Sequence, residues 1–353
     1  MILSDLVDIR WSFASSVTQI LAKQGRKETG TMGKLANVGL LREKITPHLQ
    51  ELIEKGSMAV KRQFSLEGVP ETEEAFGISD PLGEESVYSP VKGIVHKFGN
   101  RALVKVSYRC AAHCQFCTRA RQIGDTSGDL SAGDVENCIS YIREHSEIDD
   151  VILSGGDPFV TPTVALRLLS SLSTIDSVKV VRAGTRLPVH APSCFGNNTV
   201  LELVKKIRQV SENKPFYVLV HVNHPDELGP ETRKVLAFLK KNCTALLSQS
   251  VFLNRINDDS ETLGCLFTKL YHLGVLPHYI YRCDSVSGLE RFVCPIEKER
   301  QIMTELRRTL SGIAIPTYVA DVPGRGKIPV PLDFWAGTDT SRCVDYDGQT
   351  VDL

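Results

Sequence analysis

The sequence predicts an α/β protein built on a parallel sheet, and three observations carry that prediction. From residue 101 onward, short apolar runs of strand character alternate with helical segments. Six such units follow one another at about 30–35 residues each, the length of a strand–helix–strand unit. The balance of 42% hydrophobic and 24% charged residues is that of a globular chain with a real core. An open or partial barrel and a doubly wound sheet both fit this alternation, and spacing alone leaves the choice open.

The elements follow in order. Residues 1–95 read as a helical and irregular N-terminal extension. Within it Thr46-Pro47 sets a cap and a first-turn proline before HLQELIEKG; Leu49, Leu52 and Ile53 share a face, and Gly56 ends the helix. The stretch from Glu67 to Pro90 is rich in Glu, Gly and Pro and has no period, so it reads as an irregular connection. Strands are expected at 102–107, 151–153, 178–183, 216–222, 245–252 and 276–282, with a last one at 316–322. Helices are expected at 131–145, 161–173, 198–210, 230–242, 259–273 and 296–311. Ser131 with Asp134, and Pro230, supply start signals. The division expected is 1–95, a barrel over 96–312, and a short C-terminal segment over 313–353.

Forty-one Lys and Arg residues against 42 Asp and Glu give a net charge of −1. Binding nucleic acid in general, or an anionic membrane, needs a basic excess that is missing here. No apolar run approaches the ~18 residues of a spanning helix. Asp5, Asp8 and Arg10 fall where a signal peptide would be apolar, so a cytoplasmic location is expected.

Of ten cysteines, seven are scattered singly and read as small buried hydrophobes in a reducing compartment. Cys110, Cys114 and Cys117 instead form a CX3CX2C loop directly after the first strand. Three thiolates on one loop can hold three irons of a [4Fe–4S] cluster and leave the fourth iron open to an outside ligand. Zinc, with His113 or a distant cysteine as fourth ligand, is the alternative. Ser154-Gly155-Gly156-Asp157 ends a strand, where α/β folds place ligands, and Asp157 can accept from an ammonium group. His221 and Gln249 also end strands, and Asp284 and Asp321 end two late ones.

CX3CX2C with an aromatic before the last cysteine is the signature of radical S-adenosylmethionine (SAM) enzymes, and the chain resembles one family of them, the pyridoxal 5′-phosphate (PLP)-dependent lysine 2,3-aminomutases. Beyond the ITPH segment near residue 45, the shared blocks are GIVHKFGNRAL (93–103), CTRAR (117–121), LSGGDPF (153–159), RAGTRLPV (182–189), HVNHPDE (221–227), SQSVFLNRIND (248–258), HYIYRCD (278–284) and DVPGRGK (321–327). The resemblance implies a partial (β/α)6 radical SAM barrel, and a [4Fe–4S] cluster, SAM and PLP as cofactors. It implies that Ser154, Gly155, Gly156, Asp157, His221 and Gln249 line the SAM site. It makes Lys327 the PLP lysine, with Lys97, Arg101 and Arg186 on the phosphate and Lys97 standing where the family has arginine. Arg119 is implied to hold the substrate carboxylate, and Asp284 with Asp321 the distal ammonium of lysine.

The implied reaction moves the amino group of L-lysine from C2 to C3, giving β-lysine, with a separate one-electron reductant protein as partner and an oligomer compatible with the family. Two departures stand out. Only Cys343 lies beyond residue 294, so the zinc-binding cysteine-rich tail of the longer aminomutases is expected to be missing, and the length resembles the short bacterial branch that makes (R)-β-lysine for elongation factor P. The loop from Asp321 to Lys327 is one residue shorter than in the zinc-bearing enzymes and carries Arg325. Alternatives at this level are a 2,3-aminomutase for arginine or glutamate, a radical SAM enzyme without PLP, and a non-catalytic iron–sulfur protein.

Overall fold

The computed structural model describes residues 41–67, 80, 82–85, 87–284, 286, 288–322, 326–332, 342–344 and 349–352. Most of the connection expected between 67 and 90, and Arg325, lie outside these residues.

Nine strands form one sheet in unbroken chain order. They are β1 (Ile94–Phe98), β2 (Arg101–Ser107), β3 (Asp150–Gly155), β4 (Val180–Thr185), β5 (Phe216–His221), β6 (Ala245–Val251), β7 (Leu276–Tyr281), β8 (Thr317–Val322) and β9 (Gly326–Pro329). Strands β2 to β8 are parallel, and β1 and β9 are antiparallel edges. A doubly wound sheet reverses its strand order at a switch point, and this one does not. The alternation therefore resolves into a partial barrel.

Each of β2 to β7 is followed by a helix: α3 (Ala132–Glu144), α4 (Pro162–Leu172), α5 (Asn198–Ser211), α6 (Pro230–Lys240), α7 (Ser260–His272) and α8 (Ile296–Thr309), after α1 (Pro47–Glu54) and α2 (Met58–Phe64) in the N-terminal extension. The six units make the expected (β/α)6 set, with β8 as a seventh parallel strand. The sequence alone did not show β1 and β9, two short strands that each pair antiparallel with the neighbouring strand in the chain. A separate hairpin, β10 (Arg342–Val344) with β11 (Thr350–Asp352), follows.

Local signals hold at the helix starts. Thr46 Oγ1 accepts from the Leu49 amide at 3.3 Å, and Ser131 and Asp134 form a reciprocal capping box. Strands β3 and β4 alternate buried and half-buried positions. Val151, Leu153, Val181 and Ala183 belong to the core formed with the helices. Strand alternation sends Asp150, Ser154 and Arg182 to the opposite, concave face.

The two edges of the curled sheet meet. A Cβ on Gly326 in β9 would lie 3.1 Å from the Phe98 ring in β1, and Gly326 has φ +85°. Only glycine combines that backbone with that approach. The closure brings Lys327 next to the strand that carries Lys97 and Phe98.

The N-terminal extension clasps the cysteine loop. The His113 amide donates to Lys44 O at 2.9 Å and the Gln115 amide to Gln63 O at 2.8 Å. Lys44 Nζ donates to Cys110 O at 2.7 Å, and Leu49, Val60, Phe64 and Ala112 form a small apolar cluster beneath the loop.

Candidate active site

The cysteine loop leaves the C-terminal end of β2, and the next turn supports it from below. Gly156 N donates to Ser107 O at 2.6 Å, and Asp157 N to Arg109 O at 2.8 Å. A Cβ on Gly156 would sit 2.1 Å from Arg109 O. The glycines of Ser154–Asp157 thus let β3 press against the chain's own cysteine-bearing segment.

Cys110, Cys114 and Cys117 are all free and half-buried. Burial, then the neighbouring Cys114, pushes the Cys117 thiol up to about 11; burial also raises Cys110 and Cys114, the latter opposed by Arg186. Arg186 NH1 donates to Cys114 Sγ at 2.9 Å. Buried sulfurs that feel one another and receive a guanidinium donor suit metallated thiolates. Among the described residues, no three His, Cys, Asp or Glu side chains converge as ligands of a single metal ion.

Two expected ligand-facing groups are occupied by the chain itself. The Asp157 carboxylate accepts from Thr185 Oγ1 at 2.9 Å and from the amides of Phe159, Arg186 and Leu187 at 3.0, 2.8 and 2.9 Å. Those donors fill a carboxylate's roughly four acceptor positions. The geometry therefore gives Asp157 the task of tying the ends of β3 and β4 together, in place of the ammonium contact expected from sequence. Arg119 meets a carboxylate, as expected, but an intrachain one: Nε and NH2 each lie 2.6 Å from Glu84, while NH1 donates to Ser154 Oγ and Gly155 O, both at 3.2 Å. Burial works against the Glu84 charge, yet Arg119 holds its carboxyl below the ordinary value.

Arg186 is likewise placed differently from expectation. It follows the C-terminal end of β4, packed between the rings of Phe64 and Phe116 at 5.1 Å each and bonded to Cys114, Gln63 and Glu227. Arg101 lies at the opposite end of the sheet, in register with Asp150 and Val180. At ~3.3 Å per residue, Arg186 is about 20 Å further along the strand direction. It belongs with the cysteine loop and not with Lys97 and Arg101.

The arginine that does neighbour Arg101 is Arg182. Arg182 binds Asp150 through two bonds of 2.9 and 2.6 Å, and Arg101 Nε lies 3.4 Å from the same carboxylate. Lys97 and Arg101 stand over the Phe98 ring, 5.8 and 5.4 Å from its centre. The signal for Arg182 was present in RAGTR, because a period of two puts it on the face opposite Val181 and Ala183. Glu84 and the buried Lys105 had no such signal; Glu84 falls in a stretch without a period.

The far edge gathers the remaining groups. Asp321 and Lys327 are register partners on β8 and β9, with Lys327 Nζ 3.2 Å from Asp321 Oδ2 and 5.7 Å from the centre of the Tyr281 ring. Asp321 Oδ1 is buried and has no hydrogen-bond partner among the described residues. Burial, then Asp321, raises the Asp284 carboxyl to about 6, with Lys327 opposing. His221 and Gln249 are register partners on β5 and β6, and Gln249 Nε2 donates to Tyr281 OH at 3.2 Å. A lysine amine, an acidic pair with an unfilled acceptor, and cations across the closure suit a phosphate-bearing carbonyl cofactor and a cationic substrate.

A partial (β/α)6 barrel whose first parallel strand runs directly into a CX3CX2C loop is the architecture of a radical SAM enzyme. Residues 96–186 match the family described as "4Fe-4S single cluster domain". The chain is 31% identical to the L-lysine 2,3-aminomutase of Methanococcus maripaludis, over 97% of this chain and 80% of that one. It is 34% identical to the L-lysine 2,3-aminomutase of Clostridium subterminale, over 83% and 70%. It is also 30% identical to the glutamate 2,3-aminomutase of Clostridioides difficile, over 99% and 83%. The chain belongs to the lysine 2,3-aminomutase family of radical SAM aminomutases, which are isomerases. That assignment carries the cofactor set implied by the sequence: a [4Fe–4S] cluster, SAM and PLP. No helix among the described residues is long and apolar enough to cross a membrane.

Proposed function

We propose that this aminomutase acts on L-lysine and forms β-lysine by 2,3-migration of the amino group. The observation that carries the reading is the acidic pair: Asp284 and Asp321 share one corner with Lys327, and Asp321 Oδ1 has no partner there among the described residues. Such a corner attracts an ammonium group and repels a side-chain carboxylate.

Cys110, Cys114 and Cys117 would hold three irons of the cluster, and His221 and Gln249, with the turn at Ser154, Gly155 and Gly156, would face SAM. Lys327 would carry PLP, with Lys97, Arg101 and Arg182 as the cations for its phosphate. When bound, the cluster with SAM supplies one-electron chemistry and a carbon radical, and PLP supplies a conjugated carrier for the migrating nitrogen.

The protein's own part is positioning. The Gly326–Phe98 contact closes the sheet beside Lys327. Asp321, now paired with Lys327, is released to meet the distal ammonium once the lysine amine is engaged. Arg119 takes the substrate carboxylate in the place now held by Glu84, and its fork fixes the orientation of C2 and C3. The electron comes from a separate one-electron reductant protein. Use of the product on elongation factor P rests on the sequence resemblance to the short bacterial branch.

Anaerobic incubation with SAM, PLP, a reductant and an equimolar mixture of lysine, arginine and glutamate tests the reading. β-Lysine is the expected main product; β-glutamate or β-arginine in excess would overturn the substrate assignment.

A further inference from the structure

A chain of buried polar side chains links the cysteine loop to His221, and its hydrogen-bond directions admit one solution. Arg186 can only donate, and its NH2 lies 2.6 Å from Gln63 Oε1. Gln63 Nε2 faces Glu227 Oε1 at 2.5 Å, an oxygen that accepts. The Gln63 amide is therefore fixed at both ends. Asn223 Nδ2 donates to the same Gln63 Oε1 at 3.1 Å, which turns Asn223 Oδ1 away from it. The backbone amide of Val251 donates to Asn223 Oδ1 at 2.9 Å, an independent check on that orientation. His221 Nε2 lies 3.0 Å from Asn223 Oδ1. An oxygen fixed as an acceptor needs a donor there.

We propose that Asn223 is a positioning residue that holds His221 as the Nε2–H tautomer, so that Nδ1 offers a lone pair to an N–H or O–H donor of the bound ligand. Gln63, Asn223 and Glu227 are fully buried, so water does not compete for these bonds. Burial, then the nearby Arg186, keeps the imidazole neutral by lowering it to about 3. The Phe116 ring meets the imidazole at 5.7 Å and 66°, fixing the ring plane from the cysteine-loop side. Through Gln63, the same acceptor that orients Asn223 also orients the guanidinium that donates to Cys114.

The proposal rests on the SAM reading of this face only for the identity of the ligand. The test uses the full chain with its cluster oxidised, selectively ¹⁵N-labelled at histidine, with the His221 signals identified through His221→Gln. The expected pattern is a protonated Nε2 and a lone-pair Nδ1. Asn223→Leu should lose this pattern and weaken SAM binding by roughly three- to tenfold, the size of one neutral hydrogen bond. Asn223→Asp should restore both. Buried beside Glu227 it keeps its proton, and so offers a hydroxyl to Gln63 and a carbonyl oxygen to His221 and Val251. A protonated Nδ1 in the unmodified protein would overturn the proposal, as would Asn223→Leu retaining the Nε2–H tautomer. Failure of the unmodified protein to bind SAM would instead refute the reading of the face, since the tautomer signal is read without SAM.

Discussion

Replacing Asp284 by Asn isolates the acidic corner, because the change keeps the size of the side chain and removes its charge. The Asp284 carboxyl stands near 6, about two units above an ordinary carboxylate, through burial first and Asp321 second. At 1.36 kcal/mol per unit, and discounted for partial solvent access, its ionised form carries a penalty on the order of 2 kcal/mol in the free protein. The folded value lies above the unfolded one, so the folded chain binds this proton more tightly. The penalty is present above pH 6 and fades as pH falls from about 6 toward 4. A substrate ammonium needs the ionised form. For lysine, kcat/KM should therefore fall about tenfold per unit below pH 6. In Asp284→Asn this limb should vanish and the plateau drop roughly 10- to 100-fold, the equivalent of a charge-assisted hydrogen bond. The same variant should unfold at pH 8 no earlier than the parent. Stopped-time product assays across pH 5–9, with thermal melts at pH 8, measure both. An acid limb that survives unchanged in Asp284→Asn, with kcat/KM within threefold of the parent, would refute the reasoning.

Three further outcomes are expected. Cys114→Ala should lose most iron and all SAM cleavage, whereas Cys138→Ala, whose thiol is buried against Lys92 O, should keep both; iron and sulfide analysis after anaerobic purification decides. Asp321→Ala should lower kcat/KM for lysine at least about tenfold, since ~1.4 kcal/mol is one decade; unchanged lysine kinetics would count against the pair. Gly156→Ala drives a methyl group into Arg109 O, so it should destabilise the protein by roughly 1–3 kcal/mol and lower its iron content, read by thermal melts and iron assay.

Much of this fold was legible because hydrophobic period and turn chemistry agree along the barrel. Strands β2 to β8 and their helices lie within a few residues of their expected places. The two edge strands were not legible. IVHKF and GKIP are too short for a period of two to stand out, although each pairs antiparallel with its neighbour in the chain. The cysteine loop, Lys327 and the two aspartates were visible as residue types at strand ends. What the sequence hid was how the chain's own groups are already partnered. Asp157 and Arg119 look free on paper, but apart from the Phe159 amide their partners come from residues 28–36 positions away. The choice between Arg182 and Arg186 depended on which end of β4 faces which neighbour, and register alone supplies that. Glu84 and Gln63 carried no pattern at all; each acquires a role only through the partner the fold brings to it.

One active site is expected where the two edges of the sheet meet, with Lys327 as its reactive amine. Borohydride reduction of the PLP-loaded protein, followed by proteolysis and mass mapping, tests it most directly. PLP should be fixed to the peptide containing Lys327, with Lys327→Ala losing the label and keeping its iron. Label on another lysine, such as the buried Lys105 of β2, would contradict it.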